Sequence, residues 1–237
     1  GAGRPARLAG GRRQGVASGG AWVFEPGLVL RDEPLGALDR SLREEMQYEI
    51  RRIHRSLGVT VVYVTHDQQE AMVMSDRIAV FNRGRIEQVA TPEILYEEPE
   101  RPFVARFIGG NNMLRGQVTA VDGDYCRVAV GGQVIAAFRV AECEAGDPVT
   151  VAIRPERVAV ADGPREYSNQ FEAEVETITF LGDHLIVHVR AGGRTDFALK
   201  IPNIVGHGAM LEGDTITIGW AAADCRALDV DEEEEES

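Results

Sequence analysis

Apolar and polar positions follow two different rhythms along this chain. Up to about Gly110, short apolar runs alternate with stretches of helical spacing. Leu28–Leu30 is a brief apolar run. Leu42, Met46, Ile50, Ile53 and Leu57 then recur at three- and four-residue intervals with Arg and Glu between them, which predicts an amphipathic helix. Gly58 follows the last periodic position and reads as its stop. Residues 59–64, VTVVYV, form a β-branched run with little polarity, as expected of a strand covered on both faces. Asp67 to Met74 reads as helical, with Asp67 placed to cap it, and Ile78–Phe81 as a further strand. Strand, helix, strand in this order predicts part of a parallel α/β sheet.

After Asn111 the rhythm becomes period two. GQVTAV, YCRVAV, QVIAAF, VTVAI, EAEVETITF, LIVHV, TDFALKI and TITIGW are short strand-like segments separated by Gly, Asp and Pro. This is an all-β pattern of the small barrel or sandwich type. Two rounds of strand clusters suggest a pair of related small barrels, although no sequence repeat is evident. GGNN, Gly109 to Asn112, marks the boundary, so the expected division is 1–110, 111–230, and an acidic tail at 231–237.

Composition narrows the classes. The formal net charge is −13 and Glu232 to Glu236 are consecutive, which argues against nucleic-acid binding, since that needs a basic footprint. The tail reads as a solvated, disordered segment. No apolar run approaches the ~20 residues that span a bilayer, and the arginines near the N-terminus have no apolar segment behind them, so direct membrane insertion and a signal peptide are not expected. Cys126, Cys143 and Cys225 are widely spaced and odd in number, as in a reducing compartment. Lys200 is the one lysine.

The candidate chemistry sits at the ends of two predicted strands. Asp32 and Glu33 close the first apolar run, where open α/β sheets bind ligands. One such acid can hold Mg²⁺ through water while a second orients or deprotonates the attacking water. Taken alone, the pair could equally be two solvated acids. His66, in VVYVTHDQQEAM, ends the next strand, where an imidazole can contact a terminal phosphate or help position the water. In the β-rich region His184 and His188 lie on one face of a predicted strand, and His207 lies further along; a metal pair or plain surface and packing histidines both fit.

LVLRDEPLGALD followed by VTVVYVTHDQQEAM resembles the second half of an ATP-binding-cassette (ABC) ATPase subunit. In that family an apolar strand ending in Asp-Glu is the Walker B element, the segment ending in Leu38-Asp39 is similar to the D-loop, and His66 matches the switch histidine. VTVAIRPERVAV, ITFLGDHLIVHV and GDTITIGWAAADCRAL resemble the TOBE domain, an oligomer-binding-fold-like barrel that follows the ATPase in importer subunits, closest to those for polyamines, ferric iron and related solutes. The implied fold is a partial P-loop α/β sheet followed by an all-β, OB-like TOBE domain. The resemblance implies catalytic roles for Glu33 and His66, Mg²⁺ held at Asp32, Asp39 at a dimer interface, and ATP as the nucleotide. It implies a second ATPase subunit and membrane-spanning permease subunits as partners, at the inner face of the cell membrane. Leu8 to Arg12, LAGGR, aligns with the family's LSGGQ, so Gly10 and Gly11 would face a nucleotide in the partner subunit.

Three departures accompany this. No GxxxxGK[ST] phosphate loop occurs in the sequence. Gly19 and Gly20 interrupt the helix that should follow LAGGR, each at a cost of ~1 kcal/mol against alanine. Arg31 replaces an apolar residue before Asp32, where an unpaired buried guanidinium is costly; an acidic partner, or an open face, would relieve it. The expectation is an N-terminally truncated energy-coupling ATPase of a solute importer, inactive by itself. The alternative is a decayed, non-catalytic relative whose TOBE domain regulates or binds a small ligand.

Overall fold

A computed structural model describes residues 27–36, 38–161, 167–191, 194–203 and 210–230. The chain divides into two units: residues 1–78 with 90–92, and residues 79–89 with 93–237. The LAGGR segment with Gly10 and Gly11, the Gly19–Gly20 pair, His207 and the acidic tail lie outside the described residues.

In the first unit, β1 (Leu28–Asp32) and β2 (Thr60–Val64) pair in parallel, with Leu28 opposite Thr60 and Asp32 opposite Val64. Parallel neighbours need a crossover, and α1 (Arg40–Leu57) supplies it. Asp39 caps α1 by accepting from the Leu42 N–H at 2.9 Å. Gly58 ends it with φ of 64°, a conformation glycine adopts without Cβ strain, and its N–H donates to the His54 carbonyl. A short α2 (Gln68–Met74) follows β2, and Asp67 caps it as expected, accepting from the Gln69 and Glu70 N–H groups.

Two expectations are corrected here. The β1–β2 pair is not covered on both faces: Val29 is buried, but Leu30 is 71% exposed, and Leu28, Val62 and Val64 are exposed with it. The run is apolar on both sides, but among the described residues only the face bearing Val29, Arg31, Val61 and Tyr63 is sheltered. Arg31 therefore lies half-buried opposite Tyr63, and burial draws its pKa down. Second, β3 (Ile78–Asn82) does not join the parallel sheet. It folds back on β4 (Arg85–Ala90) through Arg83 and Gly84, both at positive φ, the geometry of a two-residue hairpin turn.

The second unit continues with α3 (Pro92–Glu97) and α4 (Pro102–Phe107), then, among the described residues, ten strands: β5 (Asn112–Asp122), β6 (Tyr125–Val130), β7 (Gln133–Arg139), β8 (Pro148–Ile153), β9 (Ala159–Val160), β10 (Asn169–Phe180), β11 (His184–Ala191), β12 (Arg194–Pro202), β13 (Thr215–Trp220) and β14 (Cys225–Leu228). Every β segment expected after Asn111 lies within one of these strands. They form a closed five-stranded barrel, β14-β7-β6-β5-β8, and a five-stranded sheet, β12-β11-β10-β13-β9. A shared apolar core includes Val118, Val128, Ile135, Val151, Val175, Phe197 and Trp220.

The two sheets are copies of one plan. β5 to β8 and β10 to β13 pair in the same antiparallel order, and β5 and β10 carry a register shift at matching places, after Val118 and after Val175. Each fourth strand leads through a 3₁₀ turn into a short strand, and these last strands are exchanged. β9, which follows β8, pairs with β13, while β14, which follows β13, pairs with β7 and β8. Two asparagines lock the exchange. Asn112, opening β5, bonds both ways with the backbone of Ala198 in β12; Asn169, opening β10, does the same with Ala136 in β7.

Buried Arg154, just past β8, ties the helices to the barrel. It donates to the Ile108 carbonyl at 2.9 Å and to the Tyr96 carbonyl, and stacks 3.5 Å over the Tyr96 ring. Gly109 passes so close to the guanidinium that a Cβ there would collide with it. Among the described residues no helix is long and apolar enough to cross a membrane.

Candidate functional site

The edge of the β1–β2 pair brings three of the singled-out residues together. Asp32 is the last residue of β1, and the Glu33 N–H extends the ladder by donating to the Val64 carbonyl at 2.9 Å. Glu33 itself has φ of 42°. A non-glycine residue seldom occupies this region, and here it precedes Pro34, which further disfavours helical backbone. The chain then turns through Pro34 and Leu35, with the Gly36 N–H returning to the Glu33 carbonyl. Such an outlier is held by its surroundings; Pro34 and Leu35 are buried beneath it.

His66 occupies the corresponding place after β2. Its Nδ1 lies 2.8 Å from Glu33 Oε1, and both side chains are largely exposed. The Glu33 carboxylate, by hydrogen bond and by charge, raises the His66 pKa above the ordinary imidazole value; Asp67 and Glu70 add to this more weakly. Two motif residues more than thirty positions apart therefore form one acid–imidazole pair at the carboxyl edge of a parallel sheet, open to solvent.

Beneath the pair lies a polar cluster that sequence reasoning missed. Glu70 is 2% exposed. Its Oε2 accepts from the Tyr63 hydroxyl at 2.8 Å and the Thr65 hydroxyl at 3.0 Å, and its Oε1 faces Arg43 Nε at 3.6 Å. Burial, followed by the bond to Glu70, pushes the Tyr63 hydroxyl pKa up. Arg43 also donates to Asp67 Oδ2 and to the Leu38 carbonyl, each at 3.1 Å. The available signal was Arg43 on the sheltered side of a helix and Glu70 three residues after the Asp67 cap. Neither names its partner without coordinates.

The other candidates are placed as follows. Asp39 is an exposed helix cap. His184 pairs with Asp183 at 2.7 Å, and His188 stands 3.4 Å from the Thr177 hydroxyl. Among the described residues, no group of three or more His, Cys, Asp or Glu side chains could hold a metal ion. The three cysteines are buried; burial pushes the Cys126 thiol up to about 11 and the Cys225 thiol up to about 12. A polar pocket in the second unit is lined by Tyr96, Glu97, Arg154, Arg157, Asp224 and Arg226, and its arginines are engaged with Glu97, Asp224 and backbone carbonyls.

Residues 151–228 match the family model described as TOBE domain. A spermidine/putrescine import ATP-binding protein, PotA, from Nostoc sp. is 40% identical over 229 residues, covering 94% of this chain and 60% of that protein. Proteins of the same name from Rubrobacter xylanophilus and Pseudomonas aeruginosa are each 41% identical, covering 95% and 91% of this chain. The chain is homologous to ABC-importer ATP-binding subunits and carries a TOBE domain. It spans about 60% of the length of the relatives it matches. A solved structure of the cytoplasmic molybdate-binding protein ModG with molybdate bound superimposes at a TM-score of 0.45 and 19% identity, covering 50% of this chain and 96% of that one.

Proposed function

We propose that the first unit is the water-activating part of an ATP-hydrolysing, energy-coupling subunit of a solute importer, and that the second unit, from about residue 111, is its TOBE accessory domain. The observation that carries this reading is the Glu33–His66 pair, 2.8 Å apart at the end of a parallel strand pair. Glu33 serves as the base toward the hydrolytic water. His66, its imidazole oriented by that carboxylate, meets the terminal phosphate or holds the water in line. Asp32 is the carboxylate for Mg²⁺. The fit is reasonable, because Mg²⁺ takes one or two carboxylates and completes its shell with water and substrate phosphates, and Asp32 is an exposed hard-oxygen donor at a strand end. The metal would neutralise phosphate charge.

The fit to ATP itself is incomplete. The 237 residues contain no GxxxxGK[ST], and the single lysine, Lys200, lies in β12. Backbone N–H groups and a lysine on the β/γ-phosphates are what such a loop supplies. This polypeptide therefore needs a phosphate cradle from elsewhere before its acid–imidazole pair can act. Asp39, Gly10 and Gly11 belong to the proposal as contacts with a second ATPase subunit. Membrane-spanning permease subunits are the further partners, which places the subunit at the cytoplasmic face of the membrane. The import proteins it resembles favour a polyamine as the solute.

The missing lysine favours a second reading, a non-catalytic relative in which the TOBE domain regulates or binds a small ligand. One comparison separates the two. The 237-residue chain alone shows no Mg·ATP turnover under either reading. Joined downstream of a relative's GxxxxGK[ST]-bearing segment, it hydrolyses ATP if the proposal holds. A joined protein that binds Mg·ATP and hydrolyses none overturns it.

A further inference from the structure

Arg43 stands between the two turns that carry the candidate chemistry. It lies in the first turns of α1, and its guanidinium reaches three places. Nη2 donates to the Leu38 carbonyl, at the end of the segment that begins with Glu33 and just before Asp39. Nη1 donates to Asp67 Oδ2, beside His66. Nε is buried, has no hydrogen-bond partner within normal reach among the described residues, and faces Glu70 Oε1 at 3.6 Å. The two acids are themselves fixed. Asp67 Oδ1 caps α2, and Glu70 Oε2 holds Tyr63 and Thr65 at the end of β2. One planar fork thus spans the β1–α1 and β2–α2 turns.

We propose that Arg43 is a positioning residue that locks the Glu33 turn to the His66 turn, so that the two move as one body. This deepens the function proposed above and rests on it for its purpose, though not for its geometry. The physical reason for arginine is the fork. Five donors in a fixed plane can meet a carbonyl and two carboxylates together, whereas a lysine ammonium is a point charge on a flexible stem. The charge is compensated by Asp67 and Glu70, so a partly buried cation is tolerated there. The Glu33 N–H holds its backbone to Val64, but the Glu33 and His66 side chains are both largely exposed, so surrounding packing does little to fix the turn that carries His66 relative to the Glu33 turn. The constraint comes from the clamp below.

The sign of one measurement separates positioning from plain electrostatics. The groups facing His66 are Glu33 from the β1–α1 turn and Asp67 and Glu70 from the β2–α2 side, all anionic. Deleting the Arg43 cation while keeping the geometry leaves these anions less compensated, which raises the His66 midpoint or leaves it unchanged. Losing the 2.8 Å contact with Glu33 lowers the midpoint toward the ordinary value of 6.5. The test is an NMR titration of His66 in the full chain, without nucleotide, in the parent, Arg43→Ala and Arg43→Lys. The expected result is a fall in both variants, with far-UV circular dichroism unchanged.

Should Arg43→Ala fail to fold, Arg43→Lys, which retains the charge, decides alone. A midpoint that stays or rises overturns the proposal, and so does loss of the fold in both variants, which is the signature of a purely structural arginine. The outcome is separable from the reading above. A lowered midpoint together with an inert joined protein sinks the hydrolytic function and keeps the clamp. An active joined protein with an unmoved midpoint does the reverse.

Discussion

The Glu33 carboxylate and the His66 imidazole show how far single residues can be read from a sequence. Asp-Glu at one strand end and Thr-His-Asp at the next stood out as candidates because both fall at one predicted sheet edge; each alone also fits a solvated or structural role. Placing both at one sheet edge was a sequence expectation; the direct 2.8 Å contact between Glu33 and His66 is what the structure adds. Two features were not legible. The φ of 42° at Glu33 depends on the turn closing under it, and the fork of Arg43 depends on partners up to 27 positions away in the chain. The His66 shift also has a consequence for stability. Its folded pKa is raised, so protonated His66 contributes stability that is fully present below the unfolded value of ~6.5 and is lost as pH rises through the folded value. Urea unfolding of the parent and of His66→Ala at about pH 5.5 and about pH 8.5 checks this: the parent's advantage shrinks at the higher pH. An advantage that grows with pH contradicts the assignment.

At the scale of elements, periodicity was a good guide where strands are long. The alternating segments after Asn111 all fall inside strands that pack on a shared core; most keep one wetter face, while VTVAI in β8 is buried on both. The helix α1 and its Gly58 stop were equally plain. What failed was neighbour assignment. Nothing in the run Ile78–Phe81 says that its partner is the next strand in an antiparallel hairpin rather than β2, although Arg83-Gly84 is a turn signal. Elements of two to six residues, such as β9, β14, α3 and α4, are too short to show a period. The two asparagine locks are features of this scale. Each holds both polar groups of an alanine backbone in a buried setting, so removing the amide leaves an N–H and a C=O unpaired. Asn112→Ala and Asn169→Ala are each expected to lower the unfolding free energy by about 1–3 kcal/mol in urea titrations. A loss confined to one of them contradicts the equivalence of the two repeats.

For the chain as a whole, the organisation most hidden from the sequence is the exchange of β9 and β14 between the repeats. Two rounds of strands could be suspected. Their relation rests on a few residues, Asn112 with Asn169 and Gly146-Asp147 with Gly213-Asp214, at spacings that change from strand to strand. The exchange carries a prediction. Residues 151–228, the segment that matches the TOBE model, include β14 without β5, β6 and β7, which complete its barrel. Expressed alone, that segment is expected to show no cooperative thermal unfolding by circular dichroism, whereas residues 111–230 are expected to show it. In the other unit, the acid and the imidazole at one sheet edge form the proposed hydrolytic pair, which awaits a phosphate cradle. That role is tested most directly by Glu33→Gln in the chain joined to a relative's phosphate-loop segment, with nucleotide binding and phosphate release measured side by side. Mg·ATP is expected still to bind while turnover falls by about 10²-fold or more; turnover that survives the substitution rules out Glu33 as the base.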